Sequence, residues 1–143
     1  MNREQSSDLT ETVGIDLFPE TERYPSEDLL KLTVHIKHDW YSEDSDHGRE
    51  LLSSFMSVLS DPASKIGILL LSGSAVRMLE EGSPLHDDLL LLSNNSLLTG
   101  ACMESLDRYG IDLQVKEELN ITEYSSQDLF FEIINSERLI TLE

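Results

Sequence analysis

The stretch "KIGILLLSGSAVRMLEEG", Lys65 to Gly82, decides how the chain folds. Its first part is a near-continuous apolar run. Such a run suits a strand buried on both faces, which is the kind found inside parallel sheets covered by helices on each side. A turn of small residues follows, Ser72 to Ala75, and "SAVRMLEEGS" predicts a short helix ending at Gly82. A buried strand that passes through a tight turn into a helix is half of a βαβ unit.

The flanking sequence continues the alternation. Downstream, Pro84 suits the first turn of a new helix, "PLHDDLLLLS". "SLLTGA" (96–101) reads as a strand, and "MESLDRYG" as a short helix with Gly110 as its C-cap. A further strand is expected around Leu113 to Lys116. Ser125 and Asp128 suit the start of a last helix, in which Leu129, Phe130, Ile133 and Ile134 form an apolar stripe. "RLITL" closes the chain as a strand. Upstream, "LTVHIK" (32–37) alternates and is rich in β-branched residues, so it too reads as a strand. After an acidic loop, Leu51, Leu52, Phe55, Met56 and Leu59 mark one stripe of a helix. The expected fold class is α/β, with a mostly parallel sheet between layers of helices and ligands bound at the carboxyl ends of the strands.

The length of 143 residues suits one domain with a real core. That domain is expected over 31–143. Residues 1–30 hold eight acids, two arginines and two prolines, and read as an acidic extension interrupted by the apolar patch "VGIDLF", Val13 to Phe18. The chain carries 28 Asp and Glu against 10 Lys and Arg, a net charge of −18. Such a surface repels phosphate backbones and anionic lipid, so neither nucleic acid nor a membrane is an expected partner. With no apolar run of spanning length, no secretory h-region and one cysteine, the chain is expected in the cytoplasm.

Three loops lie at the strand ends where function is expected. The acidic loop from His38 to His47 offers His and Asp side chains. However, His35 and His38 point to opposite faces of a strand. Counted from Asp44 as a calcium loop, the twelfth position is Phe55 rather than a bidentate Glu, so no metal is expected. The Ser72–Gly73–Ser74 turn can present backbone N–H groups to an anion but lacks the glycine spacing of a nucleotide loop. His86, with Asp87 and Asp88, opens a helix and has no nucleophile assigned to it. The third loop is the Gly100–Ala101–Cys102 turn. A helix start beside Cys102 favours a thiolate, while Glu104 and Asp107 oppose it. Reactive thiol and small buried hydrophobe are both open readings, since free cysteines are among the most buried residues.

"ELLSSFMSVLSD", "ILLLSGSAVRMLEEGSPLHDDLLLL", "GACMESLDRYGI" and "DLFFEIINSERLITL" together resemble the DsrE-like sulfur-relay proteins over about residues 32–142. The resemblance is closest to the DsrE-like C-terminal domain of the YedF-type, sulfurtransferase-like selenium-metabolism proteins. That family's segment C-G-T-C-L-D-x-Y-G is matched here by "CMESLDRYG": Cys102 matches the first cysteine, and Ser105 stands in place of the second. Residues 1–30 are too few for the family's usual N-terminal carrier domain. The resemblance implies a three-layer α/β/α sandwich, a homo-oligomer, and sulfane sulfur carried as a persulfide on Cys102 between donor and acceptor proteins, with no cofactor. Ser72, Gly73, Ser74, Gly100, Ala101 and Ser105 are the candidate binding residues around it. The alternative is a non-catalytic oligomeric module that binds a small ligand or protein partner at the same strand ends.

Overall fold

The structure, a computed structural model, describes residues 31–115 and 119–143. The expected acidic extension over residues 1–30 lies outside them. The described chain folds as β1 (Leu32–Ile36), α1 (Asp46–Leu59), β2 (Ile66–Leu71), a 3-10 run (Gly73–Leu79), α2 (His86–Asn94), β3 (Ser96–Cys102), α3 (Met103–Tyr109), β4 (Thr122–Tyr124), α4 (Ser126–Ile134) and β5 (Arg138–Leu142). The strands form one sheet in the order β4-β3-β2-β1-β5, and every neighbouring pair is parallel.

That order determines where the helices go. From β1 to β4 the chain steps steadily across the sheet, and the intervening helices pack on one face. Leu52 and Met56 of α1, Leu89 and Leu92 of α2, Met78 and Leu79 of the 3-10 run and Leu106 of α3 join Val34, Ile36, Leu69, Leu71 and Ala101 in a single large core. From β4 the chain must return across the full width of the sheet to β5. A parallel crossover made in the reverse direction packs on the other face. Accordingly, Leu129 of α4 meets Leu70 and Cys102 there, with Ile68, Tyr124 and Ile133 around them. The result is a three-layer α/β/α sandwich with unequal outer layers. Among the described residues, α4 is the one helix on its face.

Local chemistry sets the element ends. The Ser45 hydroxyl accepts from the Gly48 N–H at 3.0 Å and caps α1. Buried Asn95 ties the α1–β2 connection down, its Nδ2 lying 2.9 Å from the Leu59 carbonyl, 3.0 Å from Asp61 and 3.3 Å from Ser64. Gly110 ends α3 in the left-handed conformation, φ 67°, as its position predicts.

Three expectations need correction. The helix predicted from Ser74 to Gly82 is a 3-10 run that stops at Leu79; Ala75, Val76, Met78 and Leu79 are all buried, a spacing close to three residues per turn, and Glu80 is already extended. The next helix begins at His86, with Pro84 in the turn before it. The strand expected around Leu113–Lys116 does not form at Leu113–Val115, which is a short 3-10 turn. The Asp112 carboxylate accepts from the Gln114 N–H at 2.9 Å, a side-chain bond that favours a turn over a ladder. The fourth strand is instead Thr122–Tyr124.

Candidate functional site

Cys102 is the last residue of β3 and the N-cap of α3. Leu71 pairs with Ala101 across the sheet, so Ser72 and Cys102 leave neighbouring strands from the same edge. One residue back, His35, Leu70 and Gly100 lie in register on β1, β2 and β3. The carboxyl ends of the three central strands therefore collect the candidate residues at one edge.

The thiol faces the α4 side of the sheet. Cys102 is only 6% exposed and packs against Leu70 and Leu129. Its Sγ donates to Glu104 Oε1 at 3.5 Å. The same carboxylate accepts from the Ser126 N–H at 3.0 Å and from the Ser126 hydroxyl at 3.2 Å. Glu104 thus fastens the cysteine turn to the first turn of α4. Its carboxyl is held below the usual carboxylate range, chiefly by its own backbone N–H and then by Ser126. Ser126 is the partner that sequence reasoning missed. The available signal was the serine pair before α4: Ser125 caps the helix, accepting from Asp128 at 3.1 Å, which leaves the Ser126 N–H for another acceptor.

The neighbouring turn is a built structure. Gly73 has φ 57°, and a Cβ there would lie 2.7 Å from the Lys37 carbonyl oxygen, so glycine is required on both counts. The Gly73 N–H donates to Ser105 Oγ at 2.8 Å, which ties this turn to α3. Ser105 therefore has a role of its own as an acceptor, on the helix that Cys102 precedes as N-cap. Ser74 Oγ accepts from the Asp39 N–H at 3.2 Å. The Ser72 hydroxyl meets His35 Nε2 at 2.8 Å. His35 is buried, and burial, with Lys37 adding to it, pushes its pKa down to about 4. Gly100 leaves room for β4, since a Cβ there would come within 3.0 Å of the Tyr124 ring. Ala101 points into the main core, away from the thiol.

His86 does structural work: its Nδ1 lies 2.9 Å from the Met78 carbonyl. In the acidic loop, Asp44 and Asp46 pair with Arg49, and the His38 and Trp40 rings stack at 4.0 Å. Beside the strand ends, an open groove is lined by Asp39, Arg77, Gly82, Tyr109 and Ile111. Arg77 lies 5.8 Å from the centre of the Tyr109 ring and 3.7 Å from Asp39. Among the described residues, no helix is long and apolar enough to cross a membrane.

The chain is similar to solved structures of three other proteins. BT1422, a conserved protein of unknown function from Bacteroides thetaiotaomicron, matches with 16% identity and a TM-score of 0.54 over 83% of this chain and 99% of that one. MTH1491, a protein of unknown function from Methanobacterium thermoautotrophicum, matches with 19% identity and a TM-score of 0.53 over 77% and 96%. The ychN protein of E. coli matches with 15% identity and a TM-score of 0.51 over 78% and 97%. At these identities the likeness establishes the fold. No family model and no curated protein matches the chain.

Proposed function

We propose that this chain is a DsrE-like sulfur carrier in which Cys102 holds sulfane sulfur as a persulfide. The observation that carries the reading is the placement of the thiol: it ends a central strand of a parallel sheet, at the edge where such folds bind ligands, with a carboxylate in hydrogen-bond contact. Transfer is a simple exchange. Cys102 gives up its proton to solvent and, as the thiolate, attacks the outer sulfur of a donor persulfide, R–S–SH. The donor S–S bond breaks, R–S⁻ leaves and takes up a proton, and Cys102–S–SH remains. The step is redox-neutral and uses no cofactor. Ser105 has no thiol with which to displace the sulfur, so an outside thiol, on an acceptor protein, must collect it.

The test is intact-mass analysis after incubation with inorganic polysulfide. One added sulfur on the folded wild type, removed by a small thiol and absent from Cys102→Ser, supports the reading. No addition under native conditions, with full alkylation after denaturation, rejects it.

One observation favours a second reading. Cys102 is covered, whereas the groove between Asp39, Arg77 and Tyr109 is open at the same edge. A homo-oligomeric module binding a small ligand or partner there would use Cys102 as a core residue. Light scattering in moderate salt, where the self-repulsion of the −18 charge is screened, measures the assembly.

A further inference from the structure

We propose that the exposed apolar crest of α4 is the docking site of this chain's own segment Val13–Phe18. Phe130, Phe131 and Ile134 are 53%, 63% and 76% exposed. At one, three and four residues apart they fall on one side of the helix. Leu129 and Ile133 face the sheet. Glu132, Asn135 and Ser136 line the groove toward Thr33 of β1 and Ile68 of β2, so one flank of the helix is polar. The three large apolar residues occupy the crest and the other flank. An exposed cluster of this kind marks a contact surface.

The start of the described chain indicates the occupant. Lys31, the residue before β1, reaches Glu137, just past the end of α4, at 3.6 Å. Lys31 also lines the groove with Glu132, Asn135 and Ser136, so the 30 preceding residues join the domain beside the last turn of α4, on its polar flank and one helix width from the crest. Within them, Val13, Ile15 and Leu17 alternate, with Phe18 beside them and Asp16 as the one charge in the run. The linker of residues 19–30 can span up to about 40 Å. The crest of the nine-residue helix is only about 13 Å long. A tethered segment competes at an effective concentration on the order of millimolar. A second copy must instead bring one charge of −18 against another.

Disulfide trapping in the full chain tests this. In a Cys102→Ser background, Leu17→Cys is combined with Ile134→Cys, and Ile15→Cys with Phe131→Cys as an independent second pair. Leu17→Cys with Val58→Cys, on α1 across the sheet and 75% exposed, is the control. The expected result is an intramolecular bond in either test pair, forming at least about tenfold faster than in the control and at a rate independent of protein concentration. Covalent dimers whose yield rises with concentration would show a second copy on the crest and overturn the proposal. Test pairs that close no faster than the control would overturn it as well.

Discussion

His35 Nε2 and the Ser72 hydroxyl lie 2.8 Å apart across the ends of β1 and β2, and the imidazole is buried there in its neutral form. Its pKa falls from 6.5 to about 4, mainly through burial and then through Lys37, with Glu143 opposing. Between these values the unfolded chain binds a proton that the folded chain refuses. Stability therefore rises with pH across that window and is lost as pH falls through it, by roughly 2 kcal/mol. Urea unfolding at pH 4.5 and 7.5 measures the loss. His35→Gln, which keeps a partner for Ser72 but does not titrate, flattens the slope; equal slopes in both proteins would show that the ring titrates normally. Glu104 and Glu143 also have lowered pKa values, so their contributions disappear only under more acidic conditions.

Glu104→Gln separates charge from geometry at Cys102. The amide oxygen can still accept from Ser126, while the negative charge beside the thiol is gone. A neighbouring anion opposes thiolate formation, so alkylation of Cys102 by iodoacetamide at neutral pH is expected to speed up by about three- to tenfold. An unchanged rate would mean that access through α4 governs reactivity and the carboxylate does not.

Asn95→Ala removes the donor that holds the Leu59, Asp61 and Ser64 carbonyls. Leaving these acceptors without it costs about 2–3 kcal/mol, read as a lower urea midpoint at constant slope. Asn95→Asp serves as the check, because a carboxylate cannot donate and adds repulsion. If it is as stable as wild type, the amide is not what fixes this connection.

Gly73→Ala places a methyl group against the Lys37 carbonyl in a left-handed backbone. The expected cost is about 1–3 kcal/mol. The same change disturbs the turn that Ser105 holds, so Ser105→Ala should add less in the Gly73→Ala background than in wild type. Thermal denaturation of the two single variants and the double variant tests this coupling, and simple additivity would refute it.

The parallel sheet was legible because its signals are local. The apolar run at Ile66–Leu71 and the alternation at Leu32–Ile36 each contain their own periodicity. Leu113–Val115 misled because an apolar–polar–apolar triplet suits a strand, whereas the Asp112 side chain diverts the backbone into a turn. Cys102 could be placed at a strand end from its segment alone. Its burial could not, because the cover is Leu129 and the anchor is Ser126, both on α4, more than twenty residues later. The same holds for Ser105: nothing in "CMESLDRYG" shows that its hydroxyl accepts from a glycine on another strand's turn.

The inequality of the two outer layers bears on how a covered thiol can react at all. The small cluster of Leu70, Cys102 and Leu129 is separated by the sheet from the large core that holds the other helices. A layer with so few buried contacts forms its own cooperative unit, and such units detach transiently at a free energy well below that of global unfolding. When α4 lifts away, Glu104 loses Ser126 and Cys102 loses its roof in the same event, while the sheet and the opposite layer stay intact. Native-state exchange should therefore show the amides of α4 opening before those of β2, with the labelling of Cys102 rising in proportion to the population of that open state.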